Sequence, residues 1–372
     1  MGLLQALSMG LYLSLQGAFT SYIGTNIERD ERVIFFPTIA NEINSTHWNL
    51  PIHGWVFTPK QDSIKRKAFL YLLRNVISEI VDDNDNDDDT NIIFQRRAQA
   101  FVVDNQESRN VKVTIGSRSM PAFYTMPSSS KDGHFQGNII LSKNQLTESE
   151  KETNRYQTMS YFETRALDNR VNMGVSHMVP PTGISIISDI DDTIKITNVF
   201  QGKKKMVEYT FLRDFVAVPG MAEVYRNWYA GGVHFHYVSN SVFQLYEELE
   251  EFRRKYNFPP ATINLKTIRP KKLVSTLRSI GADPLDTKGR TIEGIVQRFP
   301  SRKFILVGDS GEKDPEVYAS IARNHPNQIS RIFIRNVNDN IDGSKRLEGV
   351  PSHKYMFFND PAELLSQDIN NL

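Results

Sequence analysis

Apolar and polar positions change rhythm along this 372-residue chain, and the change divides it. From Val33 to about Ser142 the apolar residues fall in short runs, alternating or rich in β-branched and aromatic types, with Gly and Pro between them. Trp48–Phe57, Ala100–Val103, Val111–Ile115 and Asn138–Leu141 read as strands. One helical stretch interrupts them: Ile64, Ala68, Leu72, Val76 and Ile80 recur every four residues, which predicts a helix with that stripe on one face. It leads into Asp82–Asp89, six aspartates and two asparagines. That run reads as a solvated loop, with cation chelation as the alternative.

Residues 143–180 are polar, close on Pro180-Pro181, and read as a connection. Beyond them strand and helix patterns alternate. Strands are predicted near 184–188, 233–238, 304–307 and 330–334. Helices are predicted near 220–230, 241–256, 288–299, 315–324 and 361–366. This alternation argues for a parallel sheet sandwiched by helices, an α/β architecture preceded by a β-rich domain. The expected organisation is an apolar N-terminal segment over 1–30, a β-rich domain with a helical insert over 31–165, and an α/β domain over 166–372. No internal repeat is visible.

The N-terminus leaves several readings open. No charged side chain precedes Glu28, and Leu4, Leu7, Leu11, Leu15 and Phe19 recur at helical spacing. A packed or interfacial helix fits this pattern. A secretory signal fits less well, because no Lys or Arg precedes the apolar core. A membrane span is interrupted by Gln5, Ser8, Ser14, Gln16 and Thr20. Gly2 suggests myristoylation, but Ala6 stands where that motif needs Ser or Thr. Asn44-Ser45-Thr46 is a glycosylation sequon that matters only in a secreted chain. The expectation is a cytoplasmic protein peripherally associated with membrane, with secretion as the alternative if residues 1–20 are a signal peptide.

Bulk composition narrows the classes. With 44 basic and 43 acidic residues the net charge is +1, which gives no case for nucleic-acid binding. There is no Cys, so disulfide frameworks, thiolate metal sites and cysteine nucleophiles are excluded together. Hydrophobic content of 40% is that of a globular protein.

The chemistry gathers at the ends of three predicted strands. Ile184–Ile187 runs into Asp189-Ile190-Asp191-Asp192-Thr193, two carboxylates one residue apart at a strand tip. Val233–Val238 ends at Ser239-Asn240-Ser241, hydroxyls at a helix start, where backbone N–H groups favour an anion. Phe304–Val307 ends at Gly308-Asp309-Ser310-Gly311-Glu312-Lys313-Asp314. In open α/β sheets ligands bind at the carboxyl ends of strands. A carboxylate can attack phosphorus, and neighbouring carboxylates hold Mg2+ beside a phosphate. The reading is a magnesium-dependent phosphatase. His234 and His236 alternate on a strand without an apparent third ligand and read as ordinary strand residues.

The order and spacing resemble the haloacid dehalogenase superfamily, with its Asp-x-Asp-x-Thr first motif and its later Gly-Asp followed by a further acid. Ser188–Lys195, Pro219-Gly220-Met221, Tyr237–Ser241 and Phe299–Glu312 narrow the resemblance to fungal actin-patch-associated phosphatidate phosphatases and their relatives. The similarity covers about residues 182–340. It departs at Val242-Phe243, where that branch carries Pro-Trp, which puts lipid preference in question more than the reaction.

The resemblance implies a Rossmann-like three-layer catalytic domain with a small cap, and a set of roles. Asp189 would be nucleophile and Mg2+ ligand. Asp191 would be general acid, then base, and would lend its backbone carbonyl to the metal. Thr193 would fix the motif loop, Asp309 would complete the metal set, and Asp314 would support the metal or merely cap its helix. Ser239 would bind a phosphate oxygen, with Ser241 an N-cap. Lys288 is the expected phosphate-holding cation and Lys266 the second choice. Lys203-Lys204-Lys205 lies where a cap is expected and reads as a solvated loop, with contact to an anionic membrane as the alternative.

The implied activity is hydrolysis of phosphatidate at a membrane surface, with cytoskeletal or endocytic proteins as partners. Two rivals stand beside it: the same chemistry on a phosphoprotein or soluble phosphate ester, and a membrane or cytoskeletal adaptor working through the β-rich domain.

Overall fold

A computed structural model describes residues 26–59, 63–81, 88–115, 122–143, 158–163, 172–267, 285–337 and 343–369. The N-terminal helix expectation and Asp82–Asp87 lie outside these residues. Among the described residues no helix is long and apolar enough to cross a membrane.

The chain forms two compact units. The first takes Met1–Gln61 and Val103–Pro180, the second Asp62–Val102 and Pro181–Leu372. The first unit is built on a nine-stranded sheet: β1 (Arg32–Phe36), β2 (Thr38–Glu42), β3 (His47–Thr58), β4 (Asp104–Asn105), β5 (Lys112–Ile115), β6 (Ala122–Thr125), β7 (His134–Ser142), β8 (Thr158–Glu163) and β9 (Met173–Val179). All pairings are antiparallel except β2 with β9. Alternation puts Trp48, Leu50 and Ile52 of β3, with Phe35, Phe135, Ile139 and Tyr161, into one apolar core.

Three expectations change here. Ala100–Val103 is a turn after a helix, not a strand, with Phe101 N–H bonded to Ala98 O. The stretch expected as a connection contains β8 and β9, which complete the first sheet, so that unit runs to Pro180 and not to 165. The helical insert, expected inside the β-rich domain, packs with the second unit. There Arg97 donates to the carbonyls of Thr210 at 2.9 Å and Arg213 at 2.7 Å, and pairs with Glu248 at 3.3 Å.

The insert is two helices, Ile64–Val81 and Asp88–Gln99. The second begins on Asp88 and Asp89, acids that suit the positive end of a helix. The first buries Leu70, Leu73, Val76, Ile77 and Val81, while Ile64 and Leu72 of the anticipated stripe are exposed. Both pack on a further helix, Lys203–Phe211, in the segment where a cap was expected. The three lysines expected in a solvated loop therefore open a helix, and Lys205 pairs with Glu208 at 2.9 Å.

The second unit carries six parallel strands: β10 (Ile184–Ser188), β11 (His234–Val242), β12 (Thr262–Lys266), β13 (Lys303–Asp309), β14 (Ile329–Arg335) and β15 (Tyr355–Phe358). Their spatial order is β12-β11-β10-β13-β14-β15. Counted from β10, this is the 3-2-1-4-5-6 order of doubly wound sheets, whose right-handed crossovers place helices on both faces. Burial on both faces explains the unbroken apolar runs: Ile186–Ser188 and Phe304–Asp309 are wholly buried. Helices Met221–Ala230, Tyr246–Lys255, Leu285–Arg298, Asp314–Asn324 and Ala362–Leu365 fall close to the predicted positions. β12 and β15 were not predicted. The chain order reverses between β10 and β13, which leaves a crevice at their carboxyl ends.

Candidate active site

Asp189 follows the last residue of β10 and Asp309 is the last residue of β13, so both acids sit at this switch point. Both are fully buried. Asp189 is held through its backbone, whose N–H donates to Val307 O at 2.9 Å. Thr193, also buried, lies in the turn that follows and donates from Oγ1 to Asp189 Oδ2 at 3.4 Å. Asp192, at φ 53°, fixes the same turn. Its carboxylate accepts N–H bonds from Thr197, Asn198 and Val199 at 2.6–2.8 Å.

Lys288 enters from the first turns of helix Leu285–Arg298 and is buried. Its Nζ donates to Asp189 Oδ1 at 2.7 Å and to Asp314 Oδ1, and lies 3.9 Å from Glu312 Oε2. Burial works against its charge, but Asp189 and Asp314 outweigh that and hold the ammonium protonated. Asp314, at the start of its helix, turns to Lys288 and also accepts the Asp309 N–H at 3.3 Å. A Cβ at Gly308 would come within 2.3 Å of Asp314 Oδ2, so only glycine lets that carboxylate approach. Lys266, the second-choice cation, ends β12 half-buried, where burial lowers its ammonium and Glu312 offsets only part of that.

Oxygens of Asp189, Asp309 and Glu312 all lie within 4.8 Å of one another. Asp309 Oδ1 accepts N–H bonds from Gly311 at 2.6 Å and Glu312 at 3.0 Å, while its buried Oδ2 has no partner. Burial, then repulsion from neighbouring acids, pushes the Asp309 carboxyl well up. Burial does the same for Asp189, opposed by Lys288 and reinforced by Asp314, Glu312 and Asp309. Glu312 is pushed up to about 7, chiefly by burial. Four acids, Asp189, Asp309, Glu312 and Asp314, gather around one buried lysine, with Lys266 half-buried beyond Glu312. A hard divalent cation bound by oxygens fits that deficit of positive charge and the unpartnered Oδ2.

Asp191 has separate company. Its Oδ1 meets Lys195 Nζ and Thr197 Oγ1, both at 2.7 Å. Its Oδ2 accepts from Ser239 Oγ at 3.0 Å and Ser241 Oγ at 3.1 Å. Burial favours the protonated acid, but Lys195 and these hydrogen bonds overcome it and bring Asp191 down to about 2. Lys195 is itself buried and lies over the Phe215 ring at 4.7 Å.

The structure thus brings Asp189, Asp191, Thr193, Ser239, Lys288, Asp309 and Asp314 together. It turns Ser239 and Ser241 to Asp191, and it gives the third place in the acid cluster to Glu312, where Asp314 was expected. Glu312, Lys195, Thr197 and Asp192 received no role from the sequence. Asn240 was also passed over: it donates to Glu312 at 3.3 Å and leaves its buried Oδ1 unpartnered. Glu312 was within reach, since it lies in the loop three residues after Asp309. His234 and His236 join no cluster of metal-type ligands among the described residues.

The fold and the site define a doubly wound α/β domain with a cluster of carboxylates and a buried lysine at the switch point. Residues 184–336 match the family described as phosphatidate phosphatase APP1, catalytic domain. Over 193 residues the chain is 37% identical to phosphatidate phosphatase APP1 of Saccharomyces cerevisiae, covering 51% of this chain and 31% of that protein. Over 173 residues it is 34% identical to an uncharacterized protein of Schizosaccharomyces pombe, covering 46% and 28%. The chain therefore spans less than a third of the length of these relatives. Among solved structures it is similar to a D,D-heptose 1,7-bisphosphate phosphatase from Burkholderia thailandensis, with a TM-score of 0.25 at 14% identity over 50% of this chain and 100% of that one. A putative beta-phosphoglucomutase from Thermotoga maritima gives 0.29 at 14% identity, over 49% and 97%.

Proposed function

We propose that this chain is a Mg2+-dependent phosphatidate phosphatase that releases phosphate and diacylglycerol through an aspartyl-phosphate on Asp189. The convergence of Asp189, Asp309, Glu312 and Lys288 at the switch point, inside a segment similar to a phosphatidate phosphatase catalytic domain, carries this reading.

Asp189, Asp309 and Glu312 would hold the ion, with Asp314 anchoring Lys288 beside them. Bound there, Mg2+ would neutralise phosphate charge and lower the repulsion against an attacking carboxylate. Asp189 supplies the attacking oxygen. The new Asp189–phosphorus bond forms as the bond from phosphorus to the glyceride oxygen breaks, and that oxygen takes a proton from Asp191. A water then loses a proton to Asp191 and attacks phosphorus, which frees phosphate and restores Asp189. Lys195 holds Asp191 ionised in the state described, ready for the second half. For the first half the substrate monoanion, whose second pKa is about 6, passes its proton to Asp191, which relays it to the leaving glyceride oxygen and is ionised again. Lys288 anchors the phosphoryl oxygens and positions Asp189.

The test is phosphate release from phosphatidate in detergent micelles with Mg2+ or EDTA, beside short soluble phosphate esters. Release that needs Mg2+ and vanishes in Asp189→Asn supports the reading. Equal release by the variant removes Asp189 from the chemistry, and preference for a soluble ester at matched concentration removes the lipid.

A further inference from the structure

The helix Ile64–Val81 carries its apolar residues on two opposite faces. Leu70, Leu73, Val76, Ile77 and Val81 are buried, and the helix packs on Lys203–Phe211 and Asp88–Gln99. The other face shows solvent Ile64 at 86%, Tyr71 at 71% and Leu72 at 45% relative exposure, with exposed Lys67, Ala68 and Asn75 among them. At 100° per residue these six positions share one side of the helix. No large apolar residue among those described is more exposed than Ile64 and Tyr71.

Charge along the helix indicates what such a face would meet. The helix contains Lys65, Arg66, Lys67 and Arg74 against one acid, Glu79, which is exposed on the same side beyond Asn75. The neighbouring helix Lys203–Phe211 opens with three lysines, of which Lys204 is exposed. Glu79 lies about 10 Å beyond Leu72 at 1.5 Å per residue, and the acidic run Asp82–Asp89 follows in the sequence. A helix with exposed Ile, Leu and Tyr beside basic side chains is suited to lie in the interface of an anionic bilayer.

We propose that the Ile64–Leu72 half of this helix docks the protein on anionic phospholipid membrane, setting Ile64, Tyr71 and Leu72 among the headgroups while Lys67 meets lipid phosphate. The proposal rests on the lipid-phosphatase reading, since an enzyme whose substrate stays in a bilayer must dwell at its surface. The face belongs to the same compact unit as the catalytic centre, so docking holds that unit at the membrane.

The test uses the full chain and the variant I64Q/Y71Q/L72Q, whose exposed, helix-compatible changes leave the fold intact. Co-sedimentation is measured with vesicles of phosphatidylcholine and phosphatidylserine that contain no phosphatidate, with hydrolysis of p-nitrophenyl phosphate as a check on the catalytic centre. The expected result is binding by the parent that the triple variant loses by about tenfold or more. K67Q should weaken binding less and reduce its salt dependence, and ester hydrolysis should stay unchanged in both variants. Failure of the parent to sediment, or equal binding by parent and triple variant, overturns the proposal. So does a parent dimer that the triple variant converts to monomer, because the face would then be a protein interface. The vesicle result stands apart from the micelle assay, so loss of the lipid substrate and loss of the docking surface are read separately.

Discussion

Lys288 and Asp189 stand 99 positions apart in the chain and meet at 2.7 Å in the interior of the second unit. The lysine also binds Asp314, so one ammonium joins the carboxyl end of β10 to the helix that follows β13. Its ammonium pairs with three acids, Asp189, Asp314 and Glu312, beside the buried Asp309.

Removing that ammonium leaves buried carboxylates unpaired. Lys288→Met should lower phosphate release by about 1,000-fold or more and cost about 3 kcal/mol of stability without Mg2+. Turnover with excess Mg2+ and urea unfolding check the two effects separately. Activity within about threefold of the parent would remove Lys288 from the site.

Asp309 shows the reverse balance, because burial and the charges of Asp314 and Glu312 oppose its ionisation. Asp309→Asn keeps an oxygen for the Gly311 and Glu312 N–H groups and removes the repulsion. Its melting temperature without divalent ions should rise by a few degrees, as a gain of about 1 kcal/mol would give. The increase that Mg2+ produces in the parent should disappear. A lower metal-free Tm, or an undiminished Mg2+ response, argues against the cation site.

Lys195 lowers Asp191, so its loss must raise that carboxyl from about 2. In Lys195→Met the base form should be lost at higher pH than in the parent. The acidic limb of the kcat/KM profile should move up, with the maximum falling about tenfold to 100-fold. A profile of unchanged shape and reduced height would show that the lysine acts only in packing.

The α/β half was largely legible because strands buried on both faces are written as unbroken apolar runs. Ile184–Ile187 and Phe304–Val307 stand out for that reason, and the acids at their ends follow. β8 and β9 are partly polar and short, so they read as a connection until their antiparallel pairing is seen. The insert helix misled differently: Ile64, Ala68 and Leu72 do share a face, but nothing local says that the opposite face meets a neighbour. Within the site, order alone favoured Asp314. The fold turns it to Lys288 and leaves Glu312 beside Asp309. Lys195 gave no signal, since a lone lysine after the first motif acquires meaning only when the turn brings it back to Asp191.

The first unit offers a pH test of its own. His53 on β3 meets His134 on β7 at 3.1 Å, and burial, then the charge of His134, lowers His53 to about 4 from an ordinary 6.5. Between those values the unfolded chain binds a proton that the folded chain refuses, so stability falls as pH drops from 6.5 towards 4. The loss attributable to His53 is up to about 3 kcal/mol. Urea midpoints at pH 7.5 and 5.0 should show a smaller difference in His53→Gln than in the parent. An equal difference places the acid sensitivity elsewhere.

The helices at 64–99 are spelled between two stretches of chain that build a different body. On the ribosome, β2 emerges long before β9, its parallel neighbour, and the insert helices emerge before the sheet they will join the second unit to support. Early segments must therefore wait, unpaired, for late ones, and no single cut in the gene yields either body whole. A separate β-rich fragment calls for excising the insert and rejoining Gln61 to Val103, whereas simple truncation after the first hundred residues would split both bodies.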